Sequence, residues 1–162
     1  MNAIVVVDKN WNIGRDGDLL VHLPGDLKYY KEKTLGKTIL IGRKTLESFP
    51  GAKPLPGRTN IVLTGNPEYK NDQCVLCCGM ESLAKELTKY KDDEIYVSGG
   101  EMIYDIFLDK CETVYVTKIF EEYPADKSFK NLDEDKNYEV TWVSDVKEEK
   151  GIRYQFVKYE RK

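Results

Sequence analysis

Thr38-Ile39-Leu40-Ile41-Gly42-Arg43-Lys44-Thr45 joins a short apolar run to a polar segment through one glycine. The run Thr38–Ile41 is β-branched and uninterrupted, the pattern of a strand buried on both faces. The segment after Gly42, to about Phe49, carries helical spacing. A second copy of the arrangement follows: Ile95–Val97, then Ser98-Gly99-Gly100, then a helix over about Glu101 to Leu108 that should bury Ile103, Ile106 and Phe107. Strand, glycine turn and helix in that order are the unit of a parallel sheet covered by helices.

Working outward, Ala3–Val7, Asn60–Leu63 and Val75–Cys78 read as further buried strands. Pro24 suits the first position of a helix running to about Lys33. Met80, Leu83, Ala84, Leu87 and Tyr90 recur at helical spacing and give one apolar face. Asn10 to Asp18 has no period and reads as a long loop; Pro50 to Arg58, with its glycines and prolines, reads as another. The pattern changes after Leu108. Thr113–Ile119 is a strand, while Tyr138–Val146 and Ile152–Tyr159 alternate apolar and polar around Lys147-Glu148-Glu149-Lys150-Gly151, as in an antiparallel hairpin at a sheet edge. Glu121 to Asn137 reads as an acidic solvated loop. The expectation is one α/β domain over residues 1–162: a mixed, mostly parallel central sheet of about eight strands, flanking helices and a C-terminal antiparallel hairpin.

The formal net charge of -3 offers no bulk attraction to nucleic acid or an anionic membrane, so an anionic ligand must be held by local cations. The opening apolar run is too short for a signal peptide and no stretch approaches a transmembrane span, which sets the cytoplasm as the expected location. The four cysteines are Cys74, Cys77, Cys78 and Cys111. No second C-x-x-C follows the first, and His22, the single histidine, is distant, so these read as reduced core residues and no metal is expected.

Chemistry concentrates at three places. Asp26 lies in His22-Leu23-Pro24-Gly25-Asp26-Leu27-Lys28-Tyr29-Tyr30, where a helix should begin amid apolar neighbours. Burial there would raise its pKa, as a one-carboxylate proton-transfer site requires. Acids in a first turn also complement the helix dipole, and from this segment alone that is the commoner arrangement. The two glycine junctions, Gly42 and Gly99-Gly100, could each present backbone N–H groups to a phosphate and together hold one extended dinucleotide. Arg43 and Lys44 sit in a first turn, where cations oppose the dipole unless they face an anion. No G-x-G-x-x-G, H-E-x-x-H, Walker lysine or Ser/His/Asp spacing occurs. The strand at Leu63 ends in Thr64-Gly65-Asn66 without an acid for a ribose 2′-hydroxyl, which tilts any dinucleotide toward its 2′-phosphorylated form.

Several ordered segments then coincide with a known pattern: Asn12-Ile13-Gly14, His22-Leu23-Pro24-x-Asp26-Leu27, Ile41-Gly42-Arg43-x-Thr45-x-Glu47-Ser48, Pro54-Leu55-Pro56-Gly57-Arg58-x-Asn60, Gly99-Gly100-x-x-Ile103-Tyr104 and Tyr115-x-Thr117. Over nearly its full length the chain resembles bacterial dihydrofolate reductase. The resemblance implies reduction of 7,8-dihydrofolate by NADPH, with hydride passing to pterin C6 and N5 protonated with the help of Asp26. Thr117 would hydrogen-bond Asp26 from behind. Ile4, Val5 and Val6 would line the pterin pocket with Leu27, Tyr30, Phe49, Leu55 and Ser98. Arg58 would grip the glutamate carboxylate, with Lys53 assisting. On the cofactor side it implies Gly42, Arg43, Lys44, Thr45, Leu63, Thr64 and Gly65 around the adenosine half. Ser98, Gly99 and Gly100, the latter two through a cis peptide, would approach the pyrophosphate with Glu101, Met102, Ile103 and Tyr104. Val6, Ile13, Gly14 and Leu19 would attend the nicotinamide, within a mobile lid from Ile13 to Leu20.

Two positions depart from the family pattern. Leu20-Val21 stands where Pro-Trp is usual, and Ser98 where Ile or Val is usual. Both bear on the pocket wall, proton delivery and the fit of antifolate inhibitors. Two other readings stay open on the sequence: a pyrimidine reductase of riboflavin synthesis on the same fold, and a nucleotide-binding homologue that has lost turnover. The chain ends at Lys162, so no second catalytic domain is expected, and monomer is the family's usual state.

Overall fold

β-Branched side chains at both faces of Asn2–Val7 demand neighbours on either side, and the computed structural model, which describes residues 1–162, supplies them. In chain order the elements are β1 (Asn2–Val7), β2 (Asn12–Arg15), β3 (Asp18–Leu19), α1 (Pro24–Thr34), β4 (Thr38–Gly42), α2 (Arg43–Ser48), β5 (Thr59–Thr64) and β6 (Val75–Cys78). There follow α3 (Met80–Leu87), β7 (Ile95–Val97), α4 (Glu101–Phe107), β8 (Thr113–Ile119), β9 (Lys127–Ser128), β10 (Tyr138–Val143), β11 (Lys147–Glu149) and β12 (Ile152–Arg161).

The main sheet runs β10-β12-β8-β1-β7-β4-β5-β6, eight strands, with β11 added on β12. From β8 to β6 every pairing is parallel; β12 and β10 are antiparallel. The expected mixed sheet and C-terminal hairpin are therefore present. Its core is largely apolar: Ile39, Leu40, Ile41, Ile61, Val62, Leu83, Val114 and Val116 are fully enclosed. Because side chains alternate along a strand, Ile39 and Ile41 pack on one face with Ile4 and Leu46, while Leu40 packs on the other with Val5, Val97 and Ile103.

Several expectations need correction. Asn10 to Asp18 is not a structureless loop: β2 and β3 pair within it, and β9 joins β2 to make a second sheet of three strands. That pairing also orders Glu121 to Asn137, whose Phe129 and Leu132 are buried; Phe129 packs on Trp11 and Tyr104. Isolated apolar residues in an acidic stretch carry no period, so the sequence pattern hid them. Lys147–Glu149, read as the hairpin turn, is a strand, and the turn shrinks to Lys150-Gly151, both with positive φ. Ile106 and Met80 are exposed rather than buried, at 38% and 44%. Among the cysteines Cys77 and Cys111 are buried, Cys74 is half-buried, and Cys78 is exposed because β6 is the sheet edge. All four are free thiols, and no group of side chains has the makings of a metal site. No helix is long and apolar enough to cross a membrane.

Phe129 separates the two views of its segment. Phe129→Ala should cost about 3–5 kcal/mol in urea unfolding, the range for a buried aromatic; a solvated loop residue would cost next to nothing.

Candidate functional site

Pro24 fixes the first turn of α1 and, having no N–H, leaves none to satisfy there. Two residues on, Asp26 turns inward and is 6% exposed. Thr117 reaches it from β8, its hydroxyl donating to Asp26 Oδ1 at 2.6 Å. The register that sets Val6 beside Thr117 and Phe156 on the other side places this threonine mid-sheet, between β1 and β12. Burial drives the Asp26 carboxyl up to about 6; the Thr117 hydrogen bond opposes this, and the nearby Glu149 carboxylate adds to it. An acid so tuned is populated in both forms near neutrality, the condition for moving a proton.

The other residues expected around a heterocycle gather here in part. Ile4 and Val5 are buried in β1, and Val6 is half-buried beside Val21 and Leu23. Tyr30 packs with Ile4, Phe49 and Leu55 in one apolar cluster. Its hydroxyl is buried without a hydrogen-bond partner, and Ser98 and Arg58 are the polar groups facing it. Leu27 departs from the expected apolar enclosure, being 47% exposed on the outer side of α1. Val21, at the departing position, packs on the cluster of Leu23, Ile119, Tyr154 and Phe156.

Arg58 is braced. Its Nε and Nη2 donate to the Pro56 carbonyl at 3.0 and 2.8 Å, and its Nη1 to the Thr34 hydroxyl at 3.3 Å. The loop carrying it is held by Asn60, whose amide accepts from Leu55 N–H and donates to the Leu55 and Arg58 carbonyls. Lys53 is exposed and has no ion-pair partner.

The glycine junctions meet. β4 and β7 are neighbours, so Gly42 N–H donates to the Gly99 carbonyl at 2.9 Å. The Gly99–Gly100 peptide is cis, and Gly99 has φ +113°, where an L side chain is strained. A Cβ on Gly42 would lie 3.3 Å from Ile103, and one on Gly100 would lie 3.4 Å from the Thr45 hydroxyl. Neither α2 nor α4 has a side-chain cap, so the first-turn N–H groups of both face this shared edge unclaimed by any capping side chain. Leu63 pairs with Gly42, which brings Thr64 and Gly65 to the same strand ends. Ligands of open α/β sheets bind at such carboxyl ends. Arg43 is committed to Glu47 at 2.8 Å along α2, whereas Lys44 is exposed and unpaired.

The expected lid is anchored at its base and tip. Asp8, buried, accepts from the Asn10, Asn12 and Tyr123 N–H groups. Asp126 accepts from Asp16 N–H at 3.0 Å and donates its own N–H to the Gly14 carbonyl at 3.0 Å. Ile13 and Gly14 are buried in this strip and Leu19 is exposed. On the far side, Glu101 accepts from Ser128 N–H, Met102 is 66% exposed, and Tyr104 donates to the Ile4 carbonyl at 2.7 Å. Asp8, Asn60, Asp126 and Glu149 had no assigned role on the sequence. Asp8, Asp126 and Glu149 act through hydrogen bonds to backbone remote in sequence, and Asn60 by bracing its own loop, relations with no periodic signature.

A buried acid on the first turn of a helix, set two strands from a glycine-lined cradle at strand ends, defines an α/β protein built for a heterocycle beside a phosphate-bearing ligand. Residues 1–161 match the dihydrofolate reductase family model, and the chain belongs to that family. It is 36% identical to a dihydrofolate reductase of Bacillus subtilis (strain 168) across 100% of this chain and 95% of that one. The dihydrofolate reductase of Staphylococcus haemolyticus is 35% identical over 99% and 95%. Among solved structures, dihydrofolate reductase from Enterococcus faecalis complexed with NADP(H) and RAB-propyl superposes with a TM-score of 0.86, at 32% identity over 99% of this chain and 95% of that one.

The raised Asp26 carboxyl carries a stability cost with a defined pH window. Its folded value of about 6 lies above the ordinary aspartate value of 3.8, so folding loses stability as pH rises between the two and the full cost persists above 6. Asp26→Asn should therefore unfold at higher urea than the parent at pH 7, by on the order of 1–3 kcal/mol, with the difference gone near pH 4.

Proposed function

We infer that this chain reduces 7,8-dihydrofolate to 5,6,7,8-tetrahydrofolate with NADPH. The observation that carries the reading is the buried Asp26–Thr117 pair, set near the joined glycine junctions in a chain of this family.

Asp26 serves as the anchor and acid of the pterin site. Its carboxyl accepts from the pterin 2-amino group and N3, and its protonated form supports protonation of N5. Thr117 fixes the carboxyl's orientation and occupies one lone pair of Oδ1, leaving the second lone pair and Oδ2 for the two substrate donors. Ile4, Val5, Val6 and Tyr30 exclude water around the ring, while Phe49 and Leu55 pack the benzoyl tail. Arg58, already forked onto Pro56 and Thr34, supplies a pre-oriented cation for the glutamate carboxylate. Lys53 and Leu27, both exposed on the rim, close on the substrate from outside.

The residues at the strand ends fit a phosphorylated dinucleotide, since a Cβ at Gly42 or Gly100 would crowd the cradle and the adjoining N–H groups lack caps. Gly42, Thr45, Gly99 and Gly100 would hold the pyrophosphate with Glu101, Met102, Ile103 and Tyr104 as its floor, and Lys44, Thr64 and Gly65 the adenosine phosphate end. Arg43 would need to leave Glu47 to join them. Ser98, Ile13, Gly14 and Leu19 border the place for the nicotinamide. When bound, NADPH supplies the hydride that pterin C6 receives. On this reading the 162 residues act as one reductase domain, a cytoplasmic monomer that feeds one-carbon metabolism and binds antifolate inhibitors.

NADPH absorbance should fall only when dihydrofolate is present, and a riboflavin-pathway pyrimidine should not replace it; oxidation with the pyrimidine alone would overturn the substrate assignment. Asp26→Asn should lose most turnover at pH 7 and recover part of it in acid, where the substrate arrives protonated. Arg58→Leu should raise KM for dihydrofolate by about 10–100-fold with kcat little changed, the signature of lost uniform binding.

A further inference from the structure

Glu149 was assigned no role by its position in a charged hairpin, yet it makes a long-range contact at the most sensitive point of the molecule. It lies on β11, half-buried, and its Oε1 accepts from Gly25 N–H at 2.7 Å. The same oxygen accepts from the Tyr154 hydroxyl. Tyr154 and Phe156 alternate along β12 and so present the same face, where Phe156 stacks on Tyr29 of α1 with ring centroids 3.9 Å apart. The hairpin is thus fastened to the first turn of α1. That turn has no side-chain cap of its own; a carboxylate from another element takes the place of one.

Gly25 makes the arrangement possible. A Cβ there would overlap both the Glu149 oxygen and the Tyr154 hydroxyl oxygen, so any other residue must push them away. Glycine is a poor helix former, and its place in the first turn of α1 is not one that helix propensity favours. Here the missing methyl makes room for an anion directly beside Asp26 in the sequence.

We propose that Glu149 is a positioning residue for Asp26: its carboxylate caps α1 next to that acid and favours the acid's protonated form. Without it, the positive end of α1 would stabilise an ionised Asp26, as first-turn N–H groups do for any carboxylate. The Glu149 anion offsets that end of the dipole and repels a second negative charge nearby. The groups facing Asp26 are Thr117 from β8, Tyr154 from β12, Tyr104 from α4, Glu149 from β11 and Tyr29 on α1 itself. Glu149 is the one carboxylate among them. Of the charges around the hairpin, Lys150 donates to the His22 carbonyl at 3.2 Å, while Lys147 lies over the Phe156 ring and shares a surface hollow with Gly25, Tyr154 and the α1 residues Lys28 and Glu32. The consequence for turnover rests on Asp26 acting as the reaction's acid; the consequence for its titration does not.

The test is a carbon-13 NMR titration of aspartate-labelled protein without ligands, paired with turnover of NADPH and dihydrofolate against pH. Glu149→Gln keeps an acceptor for Gly25 N–H and removes the charge. It should lower the Asp26 midpoint by roughly half to one pH unit, and cut turnover at pH 7 by about 3–10-fold while matching the parent near pH 5. Gly25→Ala, which displaces the carboxylate, should move the midpoint the same way and supplies the test if Glu149→Gln does not fold. Tyr154→Phe leaves the charge in place and should leave the midpoint near that of the parent. An unmoved midpoint in Glu149→Gln, or an equal fall in Tyr154→Phe, overturns the proposal. A lowered midpoint in a protein that never turns over dihydrofolate upholds it and defeats the functional reading instead.

Discussion

The hydrogen bond from the Thr117 hydroxyl to Asp26, 2.6 Å long and sealed from solvent, joins the first turn of α1 to the centre of the sheet. A buried carboxyl is costly, and this one is kept usable because a single neutral donor satisfies half of it while leaving its charge uncompensated. A cation in place of Thr117 would pull the carboxyl down and leave it ionised at neutral pH. A purely apolar partner would leave it protonated to higher pH still. The hydroxyl is the intermediate choice, and its position follows from parallel pairing of β1 with β8 in the register that sets Val6 against Thr117.

The same sheet settles the second half of the site. Six strands running in one direction bring their carboxyl ends to one edge, and glycines at Gly42, Gly99 and Gly100 keep that edge open. The two halves are linked through Tyr104, which rises from α4 behind the Gly99–Gly100 turn and donates to the Ile4 carbonyl in the wall of the acid's pocket. Strand order, more than any single motif, brings the Thr117 that holds Asp26 and the glycine turns into one sheet.

Much of this was legible in the sequence because burial on both faces leaves uninterrupted β-branched runs. Thr38–Ile41 and Ile95–Val97 announced strands, and their glycines announced turns. Asp26 was legible as a candidate through Pro24 and its apolar flanks, although from that segment alone the helix dipole was the commoner explanation. What could not be read were the pieces fixed by partners remote in sequence. The β2–β3–β9 sheet depends on pairing Asn12 with Ser128, and Phe129 is buried by Trp11 and Tyr104, not by any local pattern. Arg43 looked like a phosphate ligand because cations misfit a first turn; Glu47 one turn on resolves that misfit internally. Glu149 was hidden twice, as one acid in a charged run and as the supposed apex of a turn.

The proposed function turns on one sheltered carboxyl, Asp26, meeting a pterin. A crystal structure with NADPH and dihydrofolate both bound addresses this most directly. The account requires the Asp26 carboxyl within hydrogen-bond distance of both pterin N3 and the 2-amino group, with the Thr117 hydroxyl still donating to it. A pterin seated elsewhere, with Asp26 bonded to Thr117 alone, would contradict it.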